Sequence, residues 1–177
     1  MISSTPEIAT QRLVLRAHRA SDLDACAAIW GDPEVTRFIG GKPSTREEAW
    51  SRILRCAGLW RLLGYGFWAV EERESGRLLG DVGVMEAKRD IDPPFEGEPE
   101  AGWAFTPAVH GRGYALEAVT AMMGWADANL TAPKLVCIIH PDNAPSIRLA
   151  GKAGFRERIR TTYHGEPTIQ FDRPRKR

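Results

Sequence analysis

The chain has 177 residues, a formal net charge of +1 and an apolar fraction of 43%. This length suits one substantial hydrophobic core, so a single domain is expected over residues 1–177. The near-neutral charge gives no basic surface typical of a nucleic-acid-binding protein. No stretch of the sequence reaches the roughly 18 apolar residues that a membrane span requires, and the N-terminus lacks the features of a signal peptide. We expect a cytoplasmic protein without nucleic-acid or membrane partners.

The first half of the chain alternates strand and helix patterns. Residues 11–17 alternate apolar and polar side chains, which predicts a half-buried strand, and residues 21–30 open with Ser and Asp before a helical run. After a turn-rich stretch, Ser44 with Glu47 three positions later predicts a capping box at the start of a second amphipathic helix.

The centre of the chain is rich in strand-forming residues. Residues 65–72 and 77–87 predict two strands joined by a hairpin turn, and a third strand follows at residues 101–105. The stretch between the second and third strands holds three prolines, which indicates a loop. The pattern predicts an antiparallel meander.

The last third returns to mixed structure. Helical spacing predicts a helix over residues 112–129, and a continuous apolar run predicts a strand over residues 134–140 that is covered on both faces. A short helix over residues 144–153 and a final hairpin around residues 164–167 follow, and residues 173–177 are expected to form a flexible basic tail. The fold class is α/β with a mixed sheet.

Cysteine and histidine spacing excludes two other classes of site. The three cysteines lie far apart in apolar segments and are predicted to be buried thiols: Cys26, Cys56 and Cys137. The four histidines lack the spacing of metal ligands, so no metal is expected: His18, His110, His140 and His164.

The segment HGRGYALEA, from His110 to Ala118, places two glycines directly before the predicted long helix. The N-terminus of a helix carries unpaired N–H groups and a partial positive charge, so glycines there let an anion approach the backbone. Gly111 and Gly113 on their own fit a tight turn equally well. A dinucleotide loop would need a third glycine at Leu116, and a nucleotide-triphosphate loop would need a Lys-Ser/Thr ending, so both are excluded.

Three segments in order resemble the GNAT superfamily of acyl-CoA N-acyltransferases, and within it the ribosomal-protein-alanine (Rim-type) branch. They are QRLVLR near the N-terminus, EAGWAFTPAVHGRGYALEAV around the glycines, and HPDNAPSIRLAGKAGF after the next strand. The resemblance covers nearly the whole chain. It implies a mixed, mostly antiparallel, twisted sheet of about seven strands with helices on both faces.

The resemblance also implies acetyl-CoA as co-substrate. The diphosphate of the coenzyme would lie over backbone amides of the glycine loop, and the pantetheine arm would pair with the end of the preceding strand. The implied cofactor-binding residues are Phe105, Thr106, His110, Gly111, Arg112, Gly113, Tyr114, Ala115 and Asn143.

Acyl transfer to an amine needs a base for the amine and a proton for the departing thiolate. Glu100 stands where the family places a glutamate, so it is the candidate base, acting through a water; Glu86 and Asp81 are weaker alternatives. Glu100 could equally be one of three acidic residues, with Glu96 and Glu98, on a solvated loop end. The family's usual acid, a tyrosine, is Ala150 here. In the Rim-type branch a serine serves near the sulfur, and Ser146 matches it.

The acceptor remains open at this level. Four tryptophans are expected to lie in the core: Trp30, Trp60, Trp68 and Trp103. The alternative comes from the resemblance, in which the segments of Trp30, Phe38 and Trp68 line the acceptor side, where these residues would shape a substrate pocket. A protein N-terminus, an aminoglycoside, a polyamine and an amino acid all present a primary amine. A non-catalytic acyl-CoA sensor is the alternative to an enzyme, and both a monomer and a homodimer remain open.

Overall fold

The computed structural model describes residues 5–176, in which eight strands form one sheet and five helices pack on it. The strands are β1 (Ile8–Ala9), β2 (Leu13–Arg16), β3 (Phe67–Glu72), β4 (Leu78–Met85), β5 (Glu100–Phe105), β6 (Lys134–Ile139), β7 (Arg156–Tyr163) and β8 (Glu166–Pro174). The helices are α1 (Leu23–Trp30), the single turn α2 (Pro33–Thr36), α3 (Arg46–Leu63), α4 (Tyr114–Asn129) and α5 (Ala144–Lys152).

The strand order is β1-β2-β3-β4-β5-β6-β8-β7, and each neighbouring pair is antiparallel except β5 with β6. Those two strands are parallel because α4 carries the chain across the sheet between them. The structure confirms the predicted mixed, mostly antiparallel architecture. It has eight strands rather than about seven, since β1 has two residues and is too short to show an alternating pattern.

Helices cover both faces of the sheet, and β5 shows this directly. Phe105 packs in the large core cluster together with residues of α4, whereas its neighbour Ala104 packs in a second cluster with Trp30 of α1 and Ile53 of α3. Successive side chains of a strand point to opposite faces, so the two clusters lie on opposite sides of the sheet. Cys26, Cys56 and Cys137 are all buried and unpaired, which confirms the prediction for the thiols.

The capping box of α3 lies one residue later than predicted. Thr45, not Ser44, is the N-cap: its side chain accepts from the backbone N–H of Glu48, and the Glu48 carboxylate accepts from the backbone N–H of Thr45. The sequence STREE contains two overlapping Ser/Thr-x-x-Glu patterns, so spacing alone could not choose between Glu47 and Glu48.

The predicted basic tail is wrong at its start. Arg173 belongs to β8, is 3% exposed and donates two hydrogen bonds of 2.7 Å to the Asp127 carboxylate of α4. The backbone N–H of Lys176 also donates to Asp127. The segment is therefore fastened to α4 up to Lys176, and Arg177 lies outside the described residues. Within residues 5–176, no helix is both long and apolar enough to span a membrane.

Candidate acyl-transfer site

The sheet opens between β5 and β6. The two strands share a single register pair, Glu100 with Val136, and form no further pairs toward their C-terminal ends. Beyond the end of β5, a short 3-10 turn (Pro107–Val109) and the glycine loop lead into α4; beyond β6, residues 140–143 lead into α5. The gap therefore has one helix N-terminus on each rim.

The glycine loop has the shape of an anion cradle. Gly111 and Gly113 have φ angles of 72° and 80°, which L-amino acids other than glycine seldom adopt. Gly113 is the N-cap of α4 and offers no side chain to the first-turn N–H groups, which leaves them for a ligand. The positive φ of Gly113 also explains why α4 begins at Tyr114 and not at the predicted Arg112.

Arg12, the residue directly before β2, holds the glycine loop in place. Arg12 Nε donates to Glu117 Oε2 in the first turn of α4 at 2.7 Å, and Arg12 Nη1 donates to the carbonyl oxygen of Arg112 at 2.9 Å. The guanidinium groups of Arg12 and Arg112 both lie over the ring of Tyr114, at 4.2 and 5.1 Å from its centroid. Because Glu117 offsets the charge of Arg12, Arg112 is the residue that adds positive charge beside the cradle, which favours an anionic ligand.

The side chains of Tyr114 and His110 bind the protein itself. Tyr114 is 6% exposed and its hydroxyl donates to Glu72 Oε1 at 2.7 Å, an interaction that raises the pKa of the tyrosine. His110 Nε2 lies 3.2 Å from the carbonyl oxygen of Phe105. The backbone N–H of His110 also donates within the protein, to the carbonyl oxygen of Pro107 at 3.0 Å. Tyr114, at the first position of α4, can therefore serve a cofactor through its backbone N–H, whereas His110 cannot.

The other rim of the gap presents Ser146. Asn143 is the N-cap of α5, and its side-chain oxygen accepts from the backbone N–H of Ser146 at 3.2 Å. The hydroxyl oxygen of Ser146 accepts from the indole N–H of Trp103 on β5 at 3.3 Å. Because that N–H can only donate, the hydrogen of the Ser146 hydroxyl is left to donate elsewhere. The sequence assigned Trp103 to the core and gave no signal of this contact.

Glu100, the expected base, is buried at the base of the gap with 3% exposure. Both of its oxygens accept from Arg89, at 2.6 and 2.7 Å, and the pair is covered by Tyr163, whose ring lies 5.1 Å from the guanidinium. Burial lowers the pKa of Arg89, but the hydrogen bonds and charge of Glu100 outweigh it and raise that pKa overall. Arg89 lies in the proline-rich loop, and nothing in its sequence context pointed to Glu100.

The two alternative carboxylates are also engaged. Asp81 is 3% exposed and accepts from Trp30 Nε1 at 2.7 Å, while its other oxygen lies 2.6 Å from His18 Nε2. Glu86 is paired with Lys88. Among residues 5–176, no group of three or more His, Cys, Asp or Glu side chains is arranged to hold a metal ion.

The three aromatic residues assigned to the acceptor side lie in different surroundings. Phe38 is half-buried and stacks on His140 beyond the end of β6, with ring centroids 5.2 Å apart, so it lies beside the gap. Trp30 is 4% exposed and binds Asp81. Trp68 has no exposed surface and packs edge-on against Trp60 and Trp125, so it is a core residue and the pocket role expected for it is wrong.

Comparison with known proteins agrees with this geometry. Residues 12–156 match the model of the Acetyltransferase (GNAT) domain family. The structure of an acetyltransferase assigned to the GnaT family of Bordetella pertussis superposes with a TM-score of 0.83 at 30% identity, covering 96% of this chain and 99% of that one. The uncharacterized N-acetyltransferase YoaA of Bacillus subtilis (strain 168) is 27% identical over 86% of this chain and 84% of its own.

More distant structures share the fold at low identity. RimL, an alpha-N-protein acetyltransferase of a ribosomal protein in complex with coenzyme A, has a TM-score of 0.77 at 15% identity and covers 96% of this chain and 98% of its own. Spermidine N-acetyltransferase from Vibrio cholerae, in complex with CoA and spermine, has a TM-score of 0.73 at 15% identity and covers 94% and 97%. At this identity the likeness is one of fold alone.

Proposed function

Because this chain belongs to the GNAT acetyltransferase family, we propose that it transfers an acetyl group from acetyl-CoA to a primary amine by direct attack in a ternary complex. The observation that carries the proposal is the gap between β5 and β6, with the glycine loop on one rim and Ser146 on the other. Acetyl-CoA supplies the activated acetyl group. The residues that line the gap bind it and move the protons.

The cradle fits the diphosphate of the coenzyme. The backbone N–H groups of Gly111, Gly113, Tyr114 and Ala115 would donate to the phosphate oxygens, and the side chain of Arg112 would add charge. The N–H groups of His110 and Arg112 already donate to the carbonyl oxygens of Pro107 and Val109. The unpaired edge of β5 at Phe105 and Thr106 offers backbone groups for the amide-containing arm, in the way that a peptide adds to a sheet edge. Asn143, as N-cap, fixes the second rim.

Glu100 would take a proton from the acceptor ammonium through a water, so that the neutral amine attacks the thioester. Each carboxylate oxygen has two lone pairs, so its bonds to Arg89 leave one on each oxygen for water. Ser146 would donate its hydroxyl hydrogen to the departing sulfur, because Trp103 already uses the oxygen as an acceptor.

We further propose that the acceptor is a protein N-terminus, as expected for a Rim-type member. The support is the order of the three sequence motifs together with the Asn-x-x-Ser pattern of Asn143 and Ser146. A small-molecule amine is the competing acceptor class. Phe38 and His140 stack on each other beside the gap and would contact the first residues or the ring of either acceptor.

Isothermal titration tests the first half of the proposal, with acetyl-CoA expected to bind and NAD not to bind. CoA release is then measured with an N-terminal peptide, an aminoglycoside, a polyamine and an amino acid. CoA release with the peptide alone supports a protein N-terminus as the acceptor. CoA release with another amine instead would identify that amine's class as the acceptor. Binding without release on every acceptor would favour a sensor, and no acetyl-CoA binding would reject the proposal.

A further inference from the structure

Helix α3 presents a second apolar face, directed at solvent. Trp50 is 36% exposed, and Leu54, one turn later, is 53% exposed. Ala57, a further turn along the helix, is also exposed. The side of α3 that packs in the interior is formed by other residues: Ala49, Ile53, Cys56 and Trp60. The exposed apolar side chains therefore add nothing to the packing of α3 on its own chain.

Gly58 lies on the same side of the helix and has no evident role within a single chain. Its φ angle is not positive, and a side chain at this position would meet no neighbouring atom within 4 Å. Glycine inside a helix is destabilising relative to alanine, and it permits the close approach of another molecule. Gly58 thus forms a notch beside Leu54 that the fold of one chain leaves open.

Five exposed residues recur along α3 at the three-and-four spacing of a heptad: Glu47, Trp50, Leu54, Ala57 and Arg61. Residues at this spacing lie on one face, the face with which two helices pack side by side. We call these five residues the heptad face. Its order is complementary to its own reverse about Leu54, because an acid precedes Leu54 by as many positions as a base follows it. Likewise, the large Trp50 and the notch at Gly58 are equally far from Leu54.

We propose that the heptad face binds a second copy of the chain, with the two α3 helices antiparallel about a twofold axis at Leu54. Trp50 of each copy then packs over Gly58 of the other, and Glu47 of each copy faces Arg61 of the other. A parallel pair would instead place Glu47 against Glu47 and Arg61 against Arg61, so the charges select the antiparallel arrangement. A contact of this twofold kind closes with two copies and gives a dimer.

The other charges on this part of α3 do not oppose the contact. Arg46 pairs with Asp24 and Glu48 with Lys42, all within one chain. Arg55 is the residue after Leu54, so it lies about 100° around the helix and stays at the side of the contact, in solvent. The acid and the base of the heptad face are the charges left to meet across the dimer. None of the residues proposed to hold acetyl-CoA lies on α3, so the dimer does not depend on the proposed activity.

Sedimentation equilibrium of the intact protein tests the dimer. One helix from each copy makes a contact at the small end of specific interfaces, so the dimer should dissociate on dilution within roughly 1–500 μM. Leu54→Asp places two carboxylates at the twofold axis and should be monomeric throughout. Ile159→Asp, at an exposed apolar residue of β7, is the control and should keep the wild-type dissociation constant. A monomeric wild type, or a Leu54→Asp protein that dimerises like the wild type, would overturn the proposal.

Gly58→Ala separates association from folding. The methyl group improves the helix but fills the notch that Trp50 of the other copy occupies. The dissociation constant should therefore rise at least about threefold while the unfolding midpoint, measured on dilute monomer, stays equal or increases. Gly124→Ala, on the exposed side of α4, should leave the dissociation constant unchanged. Unchanged association in Gly58→Ala would mean that the notch is not part of the contact.

A charge exchange tests the antiparallel arrangement. Glu47→Arg and Arg61→Glu should each raise the dissociation constant at least about threefold, and the double variant should return it close to the wild-type value. Glu47 and Arg61 of one helix stand about 21 Å apart along its axis, too far to interact at ordinary salt, so recovery can arise only between copies. A double variant that dimerises no better than the weaker single variant would refute the arrangement.

Discussion

The ion pair of Glu100 with Arg89 can be separated into a structural and a chemical role. Glu100→Gln leaves a largely buried guanidinium with a neutral partner, and Arg89→Met leaves a buried carboxylate with none. Removing one member of a buried pair costs about 3–5 kcal/mol. A protein of this size loses about 2–4 °C of its unfolding midpoint for each kcal/mol, so each variant should unfold about 6–20 °C earlier.

The double variant Glu100→Leu with Arg89→Met is the matched control for stability. Replacing a buried ion pair by apolar side chains is often neutral or stabilising, so this protein should recover most of the lost midpoint. Thermal unfolding followed by calorimetry measures all four proteins. Midpoints within 1 °C of each other in the wild type and both single variants would refute the buried pair.

Turnover then isolates the proposed base. Glu100→Gln cannot accept a proton and should lower kcat by about 10²–10⁴-fold, the usual contribution of a general base. Arg89→Met keeps the carboxylate and should lose far less, although it is destabilised to a similar degree. Both are assayed well below their unfolding midpoints with saturating acetyl-CoA. Equal losses of kcat in the two variants would show that Glu100 acts only as a partner of Arg89.

Three further outcomes are expected. Gly113→Ala forces a side chain into the left-handed region, which costs about 1–2 kcal/mol and should lower the unfolding midpoint by about 2–8 °C. The control Gly124→Ala, on the exposed side of α4, should leave the midpoint equal or higher. Equal decreases in the two variants would contradict the loop geometry. Trp103→Phe removes the hydrogen bond to Ser146, worth about 0.5–1.5 kcal/mol, and should lower kcat by about 2–12-fold. Adding Trp103→Phe to Ser146→Ala should cause no further loss of kcat. Additive losses would mean that the indole does not act through the serine. The pKa of His18 rises from 6.5 to about 10 on folding, so the charged ring stabilises the folded state fully below about pH 6.5, and this contribution is lost as the pH rises through 10. Urea unfolding should therefore show a steeper loss of stability over that pH range in the wild type than in His18→Gln. Parallel curves for the two proteins would show that the ring is not charged in the native state.

The sequence alone was sufficient for features that depend on neighbours along the chain. Alternating side chains predicted β2, because a strand places every second residue on one face, and two segments rich in strand-forming residues around a hairpin turn predicted β3 and β4. Two glycines before a helical run predicted an anion site or a tight turn at the start of α4, since unpaired N–H groups occur at every helix N-terminus. Where local patterns overlap, as at Ser44 and Thr45, they fixed the helix start only to within one residue.

Contacts between distant segments were decided only by the tertiary structure. Arg89 reaches Glu100 from an irregular loop, and Trp103 meets Ser146 across 43 positions, a separation that no periodic pattern constrains. Arg173 lies in what the sequence presents as a basic tail, yet Asp127 on α4 neutralises it in the interior. A charged or aromatic side chain has the same identity in a core, a site or a tail, and its role follows from the partner that the fold places opposite it.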